Sequence, residues 1–264
     1  MSQPLVSVLM SVYNGANFLE TAVSSILNQT FTNFEFVIIN DGSTDNSPAI
    51  LNQFTDPRLK VIHQPNRGLT RALNNGLHLC SGRYIARMDA DDIALPQRLQ
   101  KQTDFLLSHP DVVIVGTGYR QQDTRLHKSQ DVVLPQDDAA IRRAMGKGNP
   151  FCHPSVMIQK EAVLAAGGYN ETFRYTQDYE LWSRLASYGR FHNLPDILLI
   201  RRFHPQSLSN NLRLELYRLW LFMRANNLAI RRLRLPWYNH LYTLSALHFI
   251  PLDIYKALKA QINQ

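Results

Sequence analysis

Three carboxylates lie within four positions of the segment RMDADD at residues 87–92. The segment follows the apolar run YIA at 84–86, which predicts the end of a buried strand. Carboxylates crowded at such a place repel one another and lose water, so the fold needs a counter-charge there. Mg²⁺ and Mn²⁺ prefer oxygen ligands and commonly join carboxylates to a diphosphate. The segment therefore predicts a metal–nucleotide site, with Asp91 on the metal, Asp89 on the metal or a ribose, and Asp92 in support; the alternative is a solvated acidic turn.

Other side chains that could do chemistry also follow predicted strands. Asp41 could accept a hydrogen bond from a nucleobase or a ribose hydroxyl, or it could form a turn that caps the next helix. Arg67 could neutralise a phosphate or hold a base with its planar guanidinium, or it could be a surface residue of a turn.

The second half of the chain offers three more candidates. Asp178 lies near the start of a predicted helix, where it is either a general base or an acid stabilised by the helix dipole. His153 and His204 each precede a proline, which predicts an extended backbone. Because His204 also follows a candidate strand, it is a candidate ligand for a metal or a phosphate, although a lone histidine is more often structural.

Alternating strand and helix patterns over residues 5–117 position the first group of side chains. Apolar runs predict strands at 5–12, 34–39, 59–63, 84–88 and 111–115, and apolar residues at helical spacing predict helices between them. This alternation implies an α/β fold with a mostly parallel sheet covered on both faces. Ligands of such sheets bind beyond the carboxyl ends of the strands. The polar clusters at 13–14, 40–41, 65–67 and 89–92 all fall at that edge, so we expect them to converge.

The rest of the chain follows a different pattern. Residues 118–206 mix short strands, at 155–158 and 197–201, with short helices. We interpret them as the acceptor half of one domain that spans about 1–207, with the nucleotide-binding half at about 1–117. Residues 208–264 interleave arginines with leucines and aromatic residues, which predicts a basic amphipathic helical extension. This extension either packs on the domain with solvated arginines or lies on an anionic membrane.

The composition limits the class of protein. A chain of 264 residues that is 45% hydrophobic and 19% charged can bury a sizeable core. A net charge of +7 suits an anionic partner such as a nucleotide, a nucleic acid or an acidic membrane. Cys80 and Cys152 have no metal-ligand or disulfide spacing and are expected to be buried thiols. No signal-peptide pattern and no apolar run long enough for a bilayer occur, so we expect a cytoplasmic protein, with an option for peripheral attachment to the inner face of the membrane.

Taken in order, the motifs resemble those of the family 2 glycosyltransferases, which are inverting enzymes with the GT-A fold. The matching segments are VLMSVYN at 8–14, INDGSTD at 39–45, NRG at 66–68, DAD at 89–91, GGYNE at 167–171, QDYELW at 177–182, and His204. The resemblance covers about residues 4–210. It implies a Rossmann-like α/β domain and a glycosyltransferase of the hexosyltransferase type.

The resemblance also implies a role for individual residues. The implied nucleotide contacts are Val12, Tyr13, Asn14, Asp41, Arg67, Asp89 and Ala90. The implied ligands of a Mn²⁺ or Mg²⁺ ion are Asp91 and His204, the implied catalytic base is Asp178, and the implied contacts to donor or acceptor sugar are His153, Gln177 and Trp182. The implied partners are a nucleotide-sugar donor, UDP-linked, and a glycan or glycolipid acceptor in cell-surface polysaccharide or lipopolysaccharide synthesis, with no nucleic acid.

Two departures from the family pattern bear on this interpretation. Gln177 stands where the family usually has the first acid of a Glu-Asp pair. The QxxRW motif and the membrane spans of processive synthases are missing from the sequence, which implies transfer of a single sugar. Two alternatives remain open: a non-catalytic nucleotide-sugar-binding module, and a sugar-1-phosphate nucleotidyltransferase. The second is disfavoured because SVYNG at 11–15 lacks the glycine-rich loop with arginine and lysine that such enzymes carry.

Overall fold

The computed structural model of the protein describes residues 3–203, 212–236 and 239–240. Its first part is a parallel sheet of strands β1 (Val6–Val12), β2 (Phe34–Asp41), β3 (Leu59–Gln64) and β4 (Tyr84–Asp89), in the spatial order β3-β2-β1-β4. Helices α1 (Ala16–Leu27), α2 (Ser47–Leu51) and α3 (Leu69–Leu79) connect these strands. All residues of β1 and β2 are buried, as expected for strands that helices cover on both faces. The predicted alternation of strand and helix is confirmed here.

Beyond β4 the sheet becomes mixed. The elements are β5 (Ile93–Ala94), α4 (Arg98–Ser108), β6 (Val112–Asp123), β7 (Lys128–Val132), α5 (Asp138–Ala144), a 3₁₀ turn at His153–Ser155, β8 (Met157–Gln159), α6 (Lys160–Ala165), α7 (Gln177–Leu185) and β9 (Arg190–Phe203). The sheet continues as β4-β8-β6-β9-β5, with β7 paired to β6. The short strand β8 is antiparallel to both β4 and β6, whereas β6 and β9 are parallel.

Two sequence predictions change in this second part. The strands predicted at 111–115 and 197–201 belong to the much longer β6 and β9, which pair along most of their length. The strand predicted at 155–158 begins two residues later, because a 3₁₀ turn occupies His153–Ser155. Since β6 runs through residue 117, the two predicted halves of the domain share one continuous sheet.

Side chains of the central strands alternate between two hydrophobic layers. On one face, Val8 of β1 packs in a cluster with Leu19 of α1 and Leu99 of α4. On the other face, Leu9 packs in a cluster with Leu73 of α3 and Trp182 of α7. The alternation follows from the two-residue repeat of a strand. The sheet is thereby held rigid between two layers of helices, which fixes the ends of its strands relative to one another.

The final described helix, α8 (Leu212–Arg232), packs on α7. Leu221, Ala225 and Ala229 are buried in the same cluster as Trp182. Asn226 donates a hydrogen bond to the Tyr179 hydroxyl at 2.8 Å. Residues 221–232 of the predicted extension therefore pack on the domain as a helix, whereas residues 208–211, 237–238 and 241–264 lie outside the described residues.

A buried carboxylate fastens the end of α8 to α7. Glu180 of α7 has no exposed surface, and its two oxygens pair with Arg184 at 2.7 Å and Arg232 at 3.0 Å. Removing one partner of a buried ion pair leaves uncompensated charge, which typically costs about 3 kcal/mol or more. We therefore expect Glu180→Ala to lower the free energy of unfolding by about 3 kcal/mol in urea titrations. The exposed Glu161→Ala is the matched control, and equal values for the two variants would contradict the prediction.

Candidate active site

The loops after β1 and β2 are joined by side chains at the carboxyl ends of the strands. Asn14, with a φ of +52°, accepts a hydrogen bond from Thr44 N at 2.8 Å, and Asn14 N donates to Ser43 Oγ at 3.0 Å. Gly42 has a φ of +74°, and a Cβ there would lie 2.6 Å from the backbone nitrogen of Asn66 in the loop after β3. Asn14 is thus a loop-holding residue as well as a predicted nucleotide contact.

Asp41, at the end of β2, organises the third loop of this edge. Its carboxylate accepts hydrogen bonds from Gln64 Nε2 at 2.7 Å, Arg67 N at 2.9 Å and Gly68 N at 2.8 Å. These hydrogen bonds go to the end of β3 and the loop before α3, so none of them caps α2, the next helix, as the turn-capping alternative would require. A carboxylate has about four acceptor sites, so one remains for a ligand N–H or O–H. The side chains of Arg67 and Tyr13 are exposed on the same edge.

The acidic turn after β4 brings its three carboxylates together. Oxygen atoms of Asp89, Asp91 and Asp92 all lie within 4.8 Å of one another. Burial raises the pKa of Asp92 well above its usual value, and the negative charges of Asp89 and Asp91 raise it further. A divalent cation would reverse that effect, and a set of oxygen-only ligands suits Mg²⁺ or Mn²⁺. The residues present therefore fit the predicted metal, and Ala90, between Asp89 and Asp91, is half-buried.

Arg202, near the end of β9, holds this acidic turn. Its backbone N–H donates to Asp92 at 2.9 Å, and its side chain donates to the carbonyls of Asp91 and Phe18. The guanidinium also lies 4.7 Å from the centre of the Phe18 ring, a cation–π contact. Arg202 is 110 residues from Asp92 in the chain, so local sequence patterns contain no signal for it.

Asp178 lies in the first turn of α7, close enough to β4 for the charge of Arg87 to act on it. The preceding Thr176 has a φ of +57°, an uncommon conformation for a β-branched residue and one that is found mainly at functional sites. Burial raises the pKa of Asp178, and hydrogen bonds from the Tyr179 backbone and from Asn149 Nδ2, the latter at 2.7 Å, together with the charge of Arg87, oppose that rise. A carboxylate whose pKa is raised by burial is suited to accept a proton.

His153 belongs to an aromatic cluster with Trp182 and with Tyr169, and the charge of Asp178 acts on Tyr169. Its Nε2 lies 2.8 Å from the Tyr169 hydroxyl, and its ring packs edge-on against Trp182 at 5.8 Å. Burial, with a smaller contribution from Arg87, lowers the pKa of His153 well below its usual value, so the ring is neutral at pH 7. Burial raises the pKa of Tyr169 to a value that keeps its hydroxyl protonated.

Several predicted site residues are buried and not at the surface of the site, and one lies outside the described residues. Trp182 has no exposed surface and packs edge-on against the His153 ring, so the structure does not bring it to the surface that a direct sugar contact requires. Val12 is likewise buried at the end of β1, and Gln177 is buried in the first turn of α7. His204 lies outside the described residues.

The sequence interpretation missed Arg87. This residue is 1% exposed and forms an ion pair with Asp89. The signal in the sequence was an arginine inside an otherwise apolar strand, two residues before the acidic turn. Arginine is almost never fully buried unless it is paired, so an arginine at this place indicates a charged partner nearby.

Comparison with known proteins settles the family. A family model described as "Glycosyl transferase family 2" matches residues 7–168. The chain is a family 2 glycosyltransferase. It is 37% identical over 201 residues to the amylovoran biosynthesis glycosyltransferase AmsE of Erwinia amylovora, covering 74% of this chain and 75% of AmsE. It is 34% identical over 209 residues to the O-antigen biosynthesis glycosyltransferase WbnJ of Escherichia coli, covering 77% of this chain and 81% of WbnJ.

Solved structures of glycosyltransferases have the same fold. TarS 1–349 of S. aureus, in complex with UDP-GlcNAc, matches with a TM-score of 0.70 and 18% identity over 85% of this chain and 66% of that chain. The mannosyltransferase PcManGT of Pyrobaculum calidifontis, in complex with GDP-Man and Mn²⁺, matches with a TM-score of 0.68 and 20% identity over the full chain and 81% of that chain. The expected GT-A fold is thereby confirmed, and the transferase interpretation prevails over the two alternatives.

Proposed function

We propose that this glycosyltransferase moves a single sugar from a UDP-sugar to a hydroxyl group of a glycan or glycolipid, with inversion at the anomeric carbon. One observation carries the proposal. Two kinds of carboxylate flank Arg87: the clustered Asp89, Asp91 and Asp92 after β4, and the separate, desolvated Asp178 at the start of α7. Clustered carboxylates suit a metal and a diphosphate, whereas a single desolvated carboxylate suits proton abstraction.

The reaction would proceed in one displacement. Asp178 takes the proton of the acceptor hydroxyl while the hydroxyl oxygen forms a bond to the anomeric carbon. The bond from that carbon to the diphosphate breaks, and the diphosphate leaves with the electron pair. A Mn²⁺ or Mg²⁺ ion held by Asp91 and Asp89 would supply Lewis-acid stabilisation of the charge on the diphosphate. Attack from the face opposite the leaving group inverts the configuration.

The identity of the nucleobase in the sugar donor can be tested directly. The comparison structures contain a uridine nucleotide in TarS and a guanosine nucleotide in PcManGT. The exposed Tyr13 and the remaining acceptor site of Asp41 favour a small base that stacks on one face and donates one N–H, as uracil does. We expect UDP with Mn²⁺ to raise the melting temperature more than GDP with Mn²⁺ at equal concentration. The reverse order in a thermal-shift panel would contradict the uridine assignment.

The acceptor is proposed from the relatives and from the surface of α8. AmsE and WbnJ are named for amylovoran and O-antigen biosynthesis, which supports an acceptor in cell-surface polysaccharide or lipopolysaccharide synthesis. Such acceptors are commonly anchored to a membrane. Within the described part of the chain no helix has the length and apolar character needed to cross a bilayer. We therefore propose a cytoplasmic enzyme that attaches peripherally to the inner face of the membrane.

An exposed group of aromatic and basic side chains supports that attachment. We call Tyr175, Tyr217, Arg218, Trp220 and Arg224 the aromatic–arginine patch. Trp220 is 53% exposed and stacks on Tyr217, which is 39% exposed, while Arg218 lies 4.5 Å from the centre of the Tyr175 ring. Exposed aromatic rings beside arginines are the composition that favours the interface of an anionic bilayer. Tyr175 is three residues before Asp178, so a bilayer here would present its lipids next to the proposed base.

A vesicle assay tests the patch. We expect the double variant Tyr217→Ala, Trp220→Ala to bind vesicles of anionic phospholipid about tenfold more weakly than the wild type. The reason is that the variant lacks the two aromatic rings that would insert into the membrane interface. The control is Tyr188→Ala, which removes an exposed aromatic side chain from the opposite end of α7. Co-sedimentation of all three proteins to the same extent would contradict membrane docking through the patch.

A further inference from the structure

The structure contains a buried charge that the proposed reaction does not yet use. Arg87 is 1% exposed and lies in β4 between Ala86 and Met88, which face one hydrophobic layer. By strand alternation its side chain points to the other face, the face of Ile85 and Trp182. An arginine cannot lose its proton in a protein, so this guanidinium is a permanent cation in an apolar layer.

The known contacts of Arg87 do not account for its burial. Its Nη1 pairs with Asp89, and its Nε has no hydrogen-bond partner among the described residues. Arg98 provides a contrast, because it is also fully buried but its guanidinium donates to the carbonyls of Arg87 and Val156 and to the Gln102 side chain. Arg98 is therefore a structural cross-link, whereas Arg87 retains an N–H donor without a partner among the described residues and a charge that its one ion pair only partly offsets.

The charge of Arg87 reaches the acceptor side of the site. It lowers the pKa values of Asp178, His153 and Tyr169, in each case as a smaller effect than burial. These three residues come from the start of α7, the 3₁₀ turn before β8, and the loop after α6. The His153–Tyr169 hydrogen bond and the packing of His153 on Trp182 join His153 and Tyr169 in one cluster on the face of the sheet to which Arg87 points.

We propose that Arg87 is a positioning residue for the transfer reaction, a common counter-ion that serves Asp89 on the donor side and Asp178 on the acceptor side. The inference rests on the proposed function, since it assigns these two carboxylates to opposite sides of the reacting bond. The contact with Asp89 orients that carboxylate toward the nucleotide. The longer-range charge adds to the hydrogen bonds from Asn149 and the Tyr179 backbone in favouring the ionised form of Asp178 against its burial.

The proposal predicts a particular change in pH dependence. The groups that face Asp178 are Asn149 and the Tyr179 backbone, which donate hydrogen bonds, together with Arg87 and the neutral Tyr169. A base must be ionised to act, and the positive charge of Arg87 favours the ionised form. Without that charge, less opposes the effect of burial on Asp178, and the pKa of Asp178 rises. The acidic limb of the kcat profile must then move to higher pH.

Three variants separate charge, contact and folding. We expect Arg87→Met to shift the acidic limb of kcat to higher pH and to lower kcat at pH 7 by about tenfold or more. Arg87→Lys keeps the positive charge but is shorter and lacks the planar guanidinium. The acidic limb of its kcat profile should therefore stay at a pH close to that of the wild type, while its affinity for UDP with Mn²⁺ falls. Arg98→Met controls for the loss of a fully buried arginine, and it should lower the melting temperature without moving the limb.

A measurement without turnover completes the test. The carboxyl carbon of Asp178, followed by NMR against pH in the ligand-free protein, should titrate at higher pH in Arg87→Met than in the wild type and in Arg98→Met. An unchanged Asp178 titration in a folded Arg87→Met protein would overturn the inference whatever the enzyme does. If Arg87→Met does not fold, Arg87→Lys decides the test. A shift in its acidic limb of kcat or in its Asp178 titration would overturn the inference. Unchanged values of both, together with weaker binding of UDP, would support the inference. A wild type that turns over no nucleotide-sugar would instead overturn the proposed function, and the NMR comparison would still decide the role of Arg87.

Discussion

Asp178→Asn is expected to lower kcat for sugar transfer by about a hundredfold to ten-thousandfold, because the acceptor hydroxyl loses its proton acceptor. The substitution preserves the shape of the side chain and the hydrogen bond with Asn149. Binding of UDP with Mn²⁺ should therefore remain close to that of the wild type. Initial rates of UDP release with a saturating acceptor, together with calorimetric titration of UDP, would measure both quantities.

The same variant has a predicted effect on stability, and its sign follows from the raised pKa. Burial favours the protonated form of Asp178 in the folded protein, so the ionised form opposes folding at neutral pH. The neutral asparagine removes that opposition, and we expect a higher melting temperature at pH 7 for Asp178→Asn than for the wild type. This stabilisation should shrink as the pH falls and Asp178 itself becomes protonated. An active site commonly gives up stability in this way for function.

A control and a contradicting result belong to this prediction. Glu171→Gln changes an exposed acid in the loop before α7, where Glu171 pairs with Arg71 at 2.9 Å, and it should leave kcat within about twofold. If Asp178→Asn kept a rate similar to that of Glu171→Gln, the base would have to be another residue.

Asp91→Ala is expected to abolish metal-dependent turnover, with a loss of at least about a hundredfold in kcat/KM. The variant removes one of the three clustered carboxylates, so a divalent cation loses a ligand and the diphosphate loses its counter-charge. Mn²⁺ with UDP should also stop protecting the protein against heat, because a ligand that no longer binds the folded state cannot stabilise it. Rates at increasing Mn²⁺ concentration and melting curves with and without Mn²⁺ would measure the two effects.

The matched control for the metal prediction is Asp104→Ala, which removes an exposed carboxylate of α4 that pairs only locally with Gln100. Its response to Mn²⁺ should equal that of the wild type. Near wild-type activity of Asp91→Ala, or full activity of the wild type after treatment with EDTA, would refute the assignment of Asp91 to a metal.

Much of the donor side could be predicted from the sequence, because its information is local. Asp89, Asp91 and Asp92 are close in the chain, and any strand end that carries them must bring their carboxylates together. The apolar runs that become β1 to β4 also place the following loops at one edge, since parallel strands align their carboxyl ends. The order of the motifs was enough to predict the family, and the family model and the relatives confirm it.

The acceptor side and the second half of the sheet depended on contacts between distant segments. The insertion of β8 between β4 and β6 is decided by packing, because a three-residue strand has too weak a pattern to reveal its partners. Trp182 is covered by the Phe151 and His153 rings, which pack edge-on against it from segments about 30 residues earlier in the chain, and no motif near residue 182 indicates this cover. The assignment of Trp182 to a sugar contact was made from a motif alone and could not anticipate that cover.

The sequence by itself determined which side chains are candidates for the chemistry of this protein: a carboxylate cluster at the edge of a parallel sheet, and a separate aspartate. Only the tertiary structure decided what surrounds them. Asn149 meets Asp178 from 29 residues away, and Arg202 meets Asp92 from 110 residues away. The physical reason is that ionisation depends on burial and charge within a few ångströms in space, and folding brings together residues whose separation along the chain carries no record of that proximity.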